Sequence, residues 1–396
     1  MVALSAYAHG SVIIGIMGAA FSPVSASEIP VDALRMHLAE QIRQDGLLRF
    51  DRYMEQALYA PEHGYYERAH PIFGASGDFV TAPMLGDFLA RCVARFCAHA
   101  LGELDGGAIA EYGPGDGRLA RDVLGELQKL PDNYWLLERS SRLRKEQVET
   151  LSSLGLQPRW ADALPKAFEG VVLANEFLDA LPARCLEVTS QGIRERMVAV
   201  RNGDEFYWTL GESPDLGLDL NRLFAGLEEV PASGYCSEWR HDALRAWLDE
   251  LDGALQRGIV LVIDYGYPRR EYYHPQRVTG TLRCHAGHRA HSNPFCQPGH
   301  EDISVDVDFT AVAELAAERG LDVLMFTSQA GFLLEYGLLE AADPSAGETA
   351  RLTQLGQIET LTHPDRMGER FRALALGRDF PTELPHTVCP DHRNRL

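Results

Sequence analysis

The stretch AIAEYGPGDG, residues 108–117, joins a short apolar run to an acidic residue and a glycine-rich loop. A segment with helical periodicity, RLARDVLGELQKL, follows it at 118–130. The alternation of apolar run and helical segment continues in NYWLLERS (133–140), SRLRKEQVETLSSLG (141–155) and GVVLANEF (170–177). Alternating strands and helices predict a doubly wound, mostly parallel α/β sheet, whose ligands bind beyond the carboxyl ends of the strands.

This alternation is interrupted at 185–240, where strand-like segments separated by polar loops predict an antiparallel, β-rich insertion after the fourth strand. Helices are predicted at 84–101 and 241–257, and the strand GIVLVIDYG at 258–266, whereas 267–303, rich in His, Pro and Arg, predicts a loop. We divide the chain into an apolar extension (1–30), an amino-terminal helical and lid segment (31–105), the α/β domain (106–184 and 241–380), the insertion (185–240) and a tail (381–396).

The charge and cysteine content restrict the partners of the protein. Its 396 residues carry 37 basic and 57 acidic side chains, a formal net charge of −20. This balance disfavours nucleic acid and anionic membrane surfaces as the main partner, and it suits a cationic substrate, although solubility alone is the commoner reason for an acidic surface. The seven cysteines are scattered and form no CxxC motif, which predicts reduced thiols in a cytoplasmic protein rather than a disulfide framework.

An apolar run of eleven residues, SVIIGIMGAAF at 11–21, precedes the small residues VSASE. It resembles the core of a signal peptide, but no Lys or Arg precedes it, and eleven residues are too few to span a bilayer. A disordered extension and a start codon placed too early are the other interpretations. We predict no stable membrane insertion.

The loop at 111–117 contains Gly113, Gly115 and Gly117, which let a ligand approach the backbone closely. A phosphate is a poor candidate, because the loop lacks GK[ST], its proline removes a backbone donor, and its two acids, one of them Glu111, are negative. S-adenosyl-L-methionine fits better, because it has no phosphate and carries a sulfonium and an ammonium that carboxylates favour. A tight turn with two surface acids is the alternative.

Side chains near the ends of the next two strands are candidates for further cofactor contacts. Glu138 ends the second strand, 21 residues after Gly117, where a carboxylate can accept hydrogen bonds from both ribose hydroxyls. Trp160 ends the third strand, and we predict that it lies near the adenine ring, with Asp162 contacting the adenine amino group. A tryptophan of the core is the alternative for Trp160.

Asn175, Glu176 and Asp179 follow the fourth strand, across the switch point of the sheet from the glycine loop. We predict that they face the reactive end of the cofactor and are the catalytic residues. A carboxylate can hold a guanidinium by paired hydrogen bonds, which makes Glu176 the first candidate, Asn175 a second contact and Asp179 a weaker one. A strand end followed by a capped helix is the alternative.

Eight segments, in order along the chain, resemble the MidA family of bacterial and mitochondrial S-adenosyl-L-methionine-dependent methyltransferases, one of whose mitochondrial members helps assemble respiratory complex I. The resemblance covers about residues 30 to 380 and implies a class I methyltransferase sheet with an insertion after strand four. The segments are LYAPEHGYY (58–66), GDFVTAP (77–83), EYGPGDG (111–117), NEFLDALP (175–182), VIDYG (262–266), GTLRC (280–284), VDF (307–309) and MGERFRALAL (367–376).

The resemblance implies dimethylation of an arginine in a protein substrate, which could be a subunit of a respiratory complex. It also implies that Asp78 and Thr81 line the cofactor pocket and that Glu176 is an active-site acid. Two residues depart from the family pattern: Met84 stands where a glutamate is usual, and Asp306 where a histidine is common. A small-molecule or other-residue methyltransferase on the same fold, and a non-catalytic assembly factor that binds the cofactor, are the alternatives.

The segment 267–303 also collects side chains of types that bind metals. They are His274, Cys284, His285, His288, His291, Cys296 and His300. Their spacing matches no paired zinc motif, and intervals of three residues on a Pro-rich loop do not place the histidines on one helical face. We therefore predict a solvated loop and no metal site.

Overall fold

The computed structural model describes residues 33–68, 72, 82–155, 158–212, 224, 227, 231–287, 289–381 and 383–396. The strands are β1 (Leu48–Arg49), β2 (Ala108–Tyr112), β3 (Tyr134–Leu137), β4 (Arg159–Ala161), β5 (Phe168–Asn175), β6 (Arg184–Thr189), β7 (Gly192–Arg201), β8 (Glu205–Leu210), β9 (Cys236–Trp239), β10 (Leu255–Tyr267), β11 (Arg283–Ala286), β12 (Arg289–His291), β13 (Asp302–Ser304), β14 (Val307–Asp308), β15 (Asp322–Ser328) and β16 (Phe371–Arg378). The helices are α1 (Ala33–Asp45), α2 (Phe50–Tyr59), α3 (Ala82–Leu85), α4 (Phe88–Glu103), α5 (Arg118–Glu126), α6 (Ser141–Ser152), α7 (His241–Ala254), α8 (Arg269–Tyr272), α9 (Phe309–Ala317), α10 (Gln329–Glu335), α11 (Leu338–Ala341) and α12 (Glu348–Thr362). Short helical turns lie at Tyr65–Glu67, Pro364–Gly368 and Arg393–Arg395.

Within these residues, a mixed sheet of eight strands forms the centre of the fold, in the order β15-β16-β10-β5-β2-β3-β4, with β14 beside β10. Strands β2 to β5 and β10 run parallel, whereas β16 runs antiparallel to both β10 and β15. Strands β5 and β10 are near-continuous apolar runs, because packed side chains cover both faces of the sheet. The predicted doubly wound, mostly parallel sheet is confirmed.

The order of the parallel strands reverses at β2, which has β3 on one side and β5 on the other. Tyr112, at the end of β2, is the register partner of Ala174 near the end of β5. The glycine loop that follows β2 and the polar residues that follow β5 therefore begin side by side. This edge of the sheet is the switch point, where open α/β sheets bind their ligands.

Strands β6 to β9 form an antiparallel sheet after β5, the fourth strand of the α/β sheet, which confirms the predicted insertion. Strand β1 of the amino-terminal segment pairs with β7, so that segment and the insertion share one sheet. Their common core packs Phe50 and Tyr53 of α2 against Val198 and Phe206. The division of the chain into separate units stays a prediction.

The predicted loop at 267–303 is wrong over about a third of its length, because it contains α8 and the small antiparallel sheet β12-β11-β13. These strands have three or four residues each, too few for an alternating pattern to show, and they are held by pairing with one another. The observed bounds of two helices also differ from the predicted ones. The segment at 84–101 is observed as α4, Phe88–Glu103, and the helix predicted at 241–257 is observed as α7, which ends at Ala254.

The apolar extension at 1–30 lies outside the described residues, and its interpretation stays a prediction. Among the helices that the structure describes, none combines the length and the apolar character needed to cross a lipid bilayer.

Candidate active site

A cavity of about 620 Å³ opens at the carboxyl ends of β2, β3 and β5, at the switch point of the sheet. It brings together eight of the residues singled out in the sequence. These are Glu111, Gly113, Gly115, Glu138, Asp162, Asn175, Glu176 and Asp179. Gly117 and Trp160 are not part of its lining, and Asp78 and Thr81 lie outside the described residues.

Left-handed backbone conformations shape the glycine loop, with φ of 62° at Gly113, 56° at Gly115 and 83° at Gly117. A Cβ atom on Gly113 would lie 3.1 Å from Cδ2 of Phe177, so this glycine also permits close packing across the switch point. Gly117 instead caps the start of α5 and faces Gln147. Gly113 and Gly115 thus open the backbone to the cavity, whereas Gly117 serves the turn into the helix.

Glu111 lies near the end of β2, where it is buried and accepts a hydrogen bond from the Tyr134 hydroxyl at 2.7 Å. Burial raises the pKa of its carboxyl to about 7, although the bond from Tyr134 acts in the opposite direction. A cation in the cavity would favour the ionised form of this carboxyl. No motif in the sequence singles out Tyr134.

Glu138 follows β3 directly, and both of its carboxyl oxygens are held in place. One oxygen accepts the backbone N–H of Ser140 at 2.7 Å, and the other accepts the Gln147 amide at 3.3 Å. Burial raises the pKa of the carboxyl to about 7. Each oxygen can accept a further hydrogen bond, so the group suits a ligand with two neighbouring hydroxyls.

Gln147, a fully buried residue of α6, joins three parts of the site. Its Nε2 donates to the Gly115 carbonyl oxygen at 2.8 Å as well as to Glu138. Its Oε1 accepts the indole N–H of Trp160 at 2.8 Å. Sequence reasoning misses this residue; the signal that could have found it is a polar side chain on the buried stripe of an amphipathic helix.

Trp160 and Asp162 occupy different surroundings at the end of β4. The Trp160 ring is partly buried and packs with Ala120, Leu136 and other residues of a small apolar cluster, which is the core alternative for this residue. Asp162 lines the cavity, but 94% of its side chain is exposed, and it accepts a hydrogen bond from Arg144 at 2.9 Å. The contact of Asp162 with adenine stays a prediction.

The residues after β5 form the other side of the cavity. Glu176 adopts a left-handed conformation with φ of 49°, which is uncommon for a residue with a side chain, and its N–H donates to the Ile263 carbonyl at 2.9 Å. Burial, and then the neighbouring Asp179 carboxylate, raise the pKa of the Glu176 carboxyl to about 8. Strained backbone of this kind is concentrated at functional sites.

Two buried oxygen atoms beside Glu176 have no hydrogen-bond partner among the described residues: Oδ1 of Asn175 and Oδ1 of Asp179. Both residues line the cavity. The other carboxyl oxygen of Asp179 accepts the Tyr265 hydroxyl, and burial raises the pKa of this carboxyl. Buried polar atoms are normally paired with protein, water or ligand, so these two oxygens can accept hydrogen bonds from a donor in the cavity.

Asp264, near the end of β10, holds the backbone that carries these acids. Its Oδ2 accepts the N–H groups of Leu178 at 2.8 Å and Asp179 at 3.2 Å, and its Oδ1 accepts that of Tyr265 at 2.9 Å. The side chain is fully buried. Asp264 belongs to the motif VIDYG, so the sequence marks the segment but not the role of the carboxylate.

The small sheet β12-β11-β13 supplies a further wall of the cavity, which the prediction of a loop at 267–303 does not include. Arg283, His285, Asp302 and Asp306 all line the cavity, and Asp302 accepts the hydroxyl of Tyr66 at 2.9 Å. Asp306, which departs from the family pattern, is buried, and burial raises its pKa.

Met84, the other departure, lies on α3 between Pro83 and Leu85. Both of those neighbours line the cavity, whereas Met84 itself is absent from the described lining.

Comparison with known proteins agrees with this geometry. Residues 89–327 match the model of a family described as S-adenosyl-L-methionine-dependent methyltransferases. A crystal structure from Burkholderia thailandensis, bound to S-adenosyl-homocysteine, is 36% identical, has a TM-score of 0.85 and covers 92% of this chain and 96% of its own.

Curated relatives include the mitochondrial protein arginine methyltransferase NDUFAF7 of Homo sapiens, 27% identical over 91% of this chain and 85% of the relative. The Drosophila melanogaster homologue is 28% identical over 91% of this chain and 87% of the relative. The predicted cytoplasmic location is wrong by this comparison, because these relatives are named mitochondrial. The family match, the similar structure and the cavity at the switch point show that this chain belongs to the MidA family of S-adenosyl-L-methionine-dependent methyltransferases.

Proposed function

We propose that this methyltransferase modifies an arginine side chain of a protein substrate. The observation that carries the proposal is the pair of unpartnered oxygens, Oδ1 of Asn175 and Oδ1 of Asp179, beside the buried carboxyl of Glu176. A guanidinium offers five N–H donors in one plane, enough to satisfy several acceptors at once. The curated relatives that are named protein arginine methyltransferases support the same acceptor.

The electrostatics of the cavity favour a cationic acceptor. Burial raises the pKa of Glu176, Asp179 and Asp306, because each ionised carboxylate lacks solvent; Asp179 raises that of Glu176 further, and Asp306 that of Asp179. A guanidinium stays charged up to a pH of about 12, so its entry returns these carboxyls toward the ionised state. A neutral hydroxyl or thiol acceptor would not shift these carboxyls toward the ionised state.

Glu176 is the residue that we propose acts on the acceptor. A carboxylate that accepts paired N–H bonds fixes the plane of a guanidinium and concentrates lone-pair character on the remaining nitrogen. Such positioning of the nucleophile supplies much of the rate enhancement in a transfer between two bound molecules. Asn175 and Asp179 would accept the other N–H groups, which matches their free oxygens.

The residues of the cofactor side fit S-adenosyl-L-methionine. Gly113 and Gly115 leave the backbone open, Glu138 holds two oxygens ready for the ribose hydroxyls, and Glu111 provides a buried carboxyl for a cationic group. We propose these contacts, and keep that of Asp162 with the adenine amino group as a weaker one. When bound, the cofactor supplies the methyl group.

A protein is the favoured carrier of the arginine. The net charge of −20 attracts basic polypeptides, an effect on association rate that salt weakens. The MidA family includes a mitochondrial member that helps assemble respiratory complex I, so we propose a subunit of a respiratory complex as the first substrate to test.

The test uses cofactor that carries a labelled methyl group, the purified protein and a lysate of cells that lack it, followed by mapping of the labelled residue. We expect label on arginine, and transfer to a short arginine peptide that is lost when lysine replaces the arginine. Label on lysine or on a small molecule would reject the arginine assignment. Cofactor binding without any transfer would favour the scaffold alternative.

A further inference from the structure

Three side chains, two from neighbouring strands and one from the residue before the third strand, meet on one face of the small sheet β12-β11-β13. Cys284 lies on β11, His291 on β12, and Glu301 directly before β13. Their ligand atoms, a thiol sulfur, an imidazole nitrogen and a carboxylate oxygen, all lie within 4.8 Å of one another. Nε2 of His291 is 3.2 Å from Oε2 of Glu301.

The register of the sheet explains why these side chains converge. Cys284 is the direct cross-strand partner of His291 on one side and of Ile303 on the other. Glu301 precedes Ile303 by two residues, and alternate residues of a strand point to the same face. Backbone pairing therefore places Cys284 and His291, and Glu301 follows from its position directly before β13; sequence spacing does not show this.

We propose that Cys284, His291 and Glu301 bind a zinc ion. Thiolate, imidazole and carboxylate are the three ligand types that zinc takes in proteins, whereas calcium and magnesium take oxygen ligands alone. Tetrahedral coordination at the usual bond lengths brings ligand atoms to about 3.3–3.8 Å from one another, so the imidazole and carboxylate are already close enough, and a pair at the 4.8 Å limit would approach by about 1 Å on loading. The expectation of no metal at 267–303, which rested on spacing in a loop, is revised by this proposal.

The surroundings match a site with one open position. Cys284 and Glu301 are buried, whereas the side chain of His291 is 36% exposed, which provides an entry path and room for a water molecule as fourth ligand. Burial, with the neighbouring Glu301 carboxylate, raises the pKa of the Cys284 thiol. A divalent cation reverses this effect, because it binds the thiolate and releases the thiol proton.

His291 changes its hydrogen bonding when it binds zinc through Nε2. In the structure its Nδ1 accepts the backbone N–H of Asn293 at 3.3 Å, which leaves the ring proton on Nε2. Loading moves that proton to Nδ1 and ends the contact with Asn293, which is long and therefore weak. Zinc binding thus replaces this weak hydrogen bond, and the contact of Nε2 with Glu301, by coordinate bonds.

The site would fix one wall of the active-site cavity. Arg283 and His285 flank Cys284 on β11, and both line the cavity, as alternation along a strand requires when Cys284 faces the opposite side. A zinc ion that joins three strands would hold these two side chains in position without touching the substrate. The proposal stands independently of the identity of the methyl acceptor.

The test measures binding of zinc alone to the full-length, tag-free protein by equilibrium dialysis with elemental analysis, and of cobalt(II) by absorption. We expect one zinc ion per chain and a thiolate-to-cobalt charge-transfer band. His291→Ala should weaken zinc binding by about 10²-fold or more, and Glu301→Gln by about 10-fold or more, because loss even of a group that only hydrogen-bonds a metal ligand costs about 10–100-fold. His37→Ala, an exposed histidine of α1, and Cys236→Ser, a thiol of another sheet, should bind zinc as the wild type does.

Cys284→Ser should abolish the charge-transfer band. Because Cys284 is fully buried, circular dichroism must show that this variant folds. If the variant does not fold, zinc binding by His291→Ala provides the test, because His291 is partly exposed. Zinc bound with unchanged affinity by His291→Ala, or less than one zinc per five wild-type chains, overturns the proposal. Calorimetry with S-adenosyl-homocysteine should give equal affinities for wild type and His291→Ala, which separates this result from any failure of the cofactor site.

Discussion

The side-chain amide of Gln147 donates to the carbonyl oxygen of Gly115 at 2.8 Å and thereby ties helix α6 to the glycine loop. Gln147→Met keeps the volume and removes the donor, which leaves the Gly115 carbonyl unpaired and Glu138 with one bond fewer. We expect the affinity for S-adenosyl-homocysteine to fall by about 5–30-fold, the cost of about 1–2 kcal/mol for unpaired buried groups. Calorimetry checks this, with a substitution of the exposed Gln44, Gln44→Met, as control. Equal affinities of the wild type and Gln147→Met would show that Gln147 does not support the cofactor site.

Glu138 is predicted to hold the ribose. Glu138→Ala should weaken cofactor binding by about 1–3 kcal/mol, because a charge-assisted acceptor is lost. A 2′-deoxy analogue of the cofactor lacks one of the two hydroxyls, so the difference between wild type and variant should shrink with it. If calorimetry gives the same difference for both ligands, Glu138 does not contact the ribose.

Protein stability should fall as the pH rises from about 5 to 8. Glu111 and Glu138 have pKa values of about 7 in the folded protein, and Glu176 of about 8, whereas an unfolded glutamate titrates near 4.5. Between these values the folded state holds protons that the unfolded state has released, so raising the pH favours unfolding, by about 1.4 kcal/mol per pH unit for each such proton.

Urea unfolding at pH 6 and pH 8 measures this effect. Glu176→Gln cannot ionise at this position, so its stability should change less between the two pH values than that of the wild type. Glu205 is exposed, and its hydrogen bonds lower the pKa of its carboxyl. The stability of Glu205→Gln should therefore change between pH 6 and pH 8 as much as that of the wild type. An equal pH dependence in Glu176→Gln would show that the Glu176 carboxyl titrates normally.

Turnover should depend on the charge of Glu176. Glu176→Gln keeps the size and hydrogen-bonding capacity of the side chain, so cofactor binding should survive, while methylation of an arginine peptide falls by about 10²-fold or more. Initial rates with labelled cofactor measure this, and calorimetry with S-adenosyl-homocysteine is the control. Near-normal turnover by Glu176→Gln would show that the charge of Glu176 is not needed for methyl transfer, and it would reopen the choice of acceptor.

Asp264 should act as a positioning residue through the backbone that it holds. Asp264→Asn has one acceptor oxygen where three N–H groups now converge, so the loop that carries Glu176 and Asp179 should loosen. We expect kcat to fall by about 10-fold or more and KM for the acceptor to rise, with cofactor affinity nearly unchanged. Steady-state kinetics check this against Asp249→Asn, an exposed carboxylate; an unchanged kcat would contradict the role.

The sequence predicts the α/β sheet well because its strands are apolar runs that local pattern reveals, as in GIVLVIDYG. It also places Glu111, Glu138 and Glu176 at the cavity, because each follows or ends such a run at the switch point. The order of the strands and the glycine loop are enough to bring these three acids together.

Contacts that depend on pairing between distant segments are not predicted. The wall formed by Arg283 and His285 belongs to strands too short to show a period, and Gln147 has no motif of its own. Trp160 does not line the cavity. Its indole N–H donates instead to the side-chain amide oxygen of the buried Gln147. Tertiary hydrogen bonds of this kind leave no trace in local spacing.

Strand β1 has a consequence for synthesis on the ribosome. Leu48 pairs with Val198, and Arg35 of α1 donates to the carbonyl oxygen of Phe295. The amino-terminal segment can therefore complete these contacts only after residues that are synthesised much later. At translation rates of about 5–20 residues per second, the nascent helix α2 keeps its apolar face uncovered for on the order of ten seconds. Chaperones that shield such faces should therefore raise the yield of folded protein during synthesis.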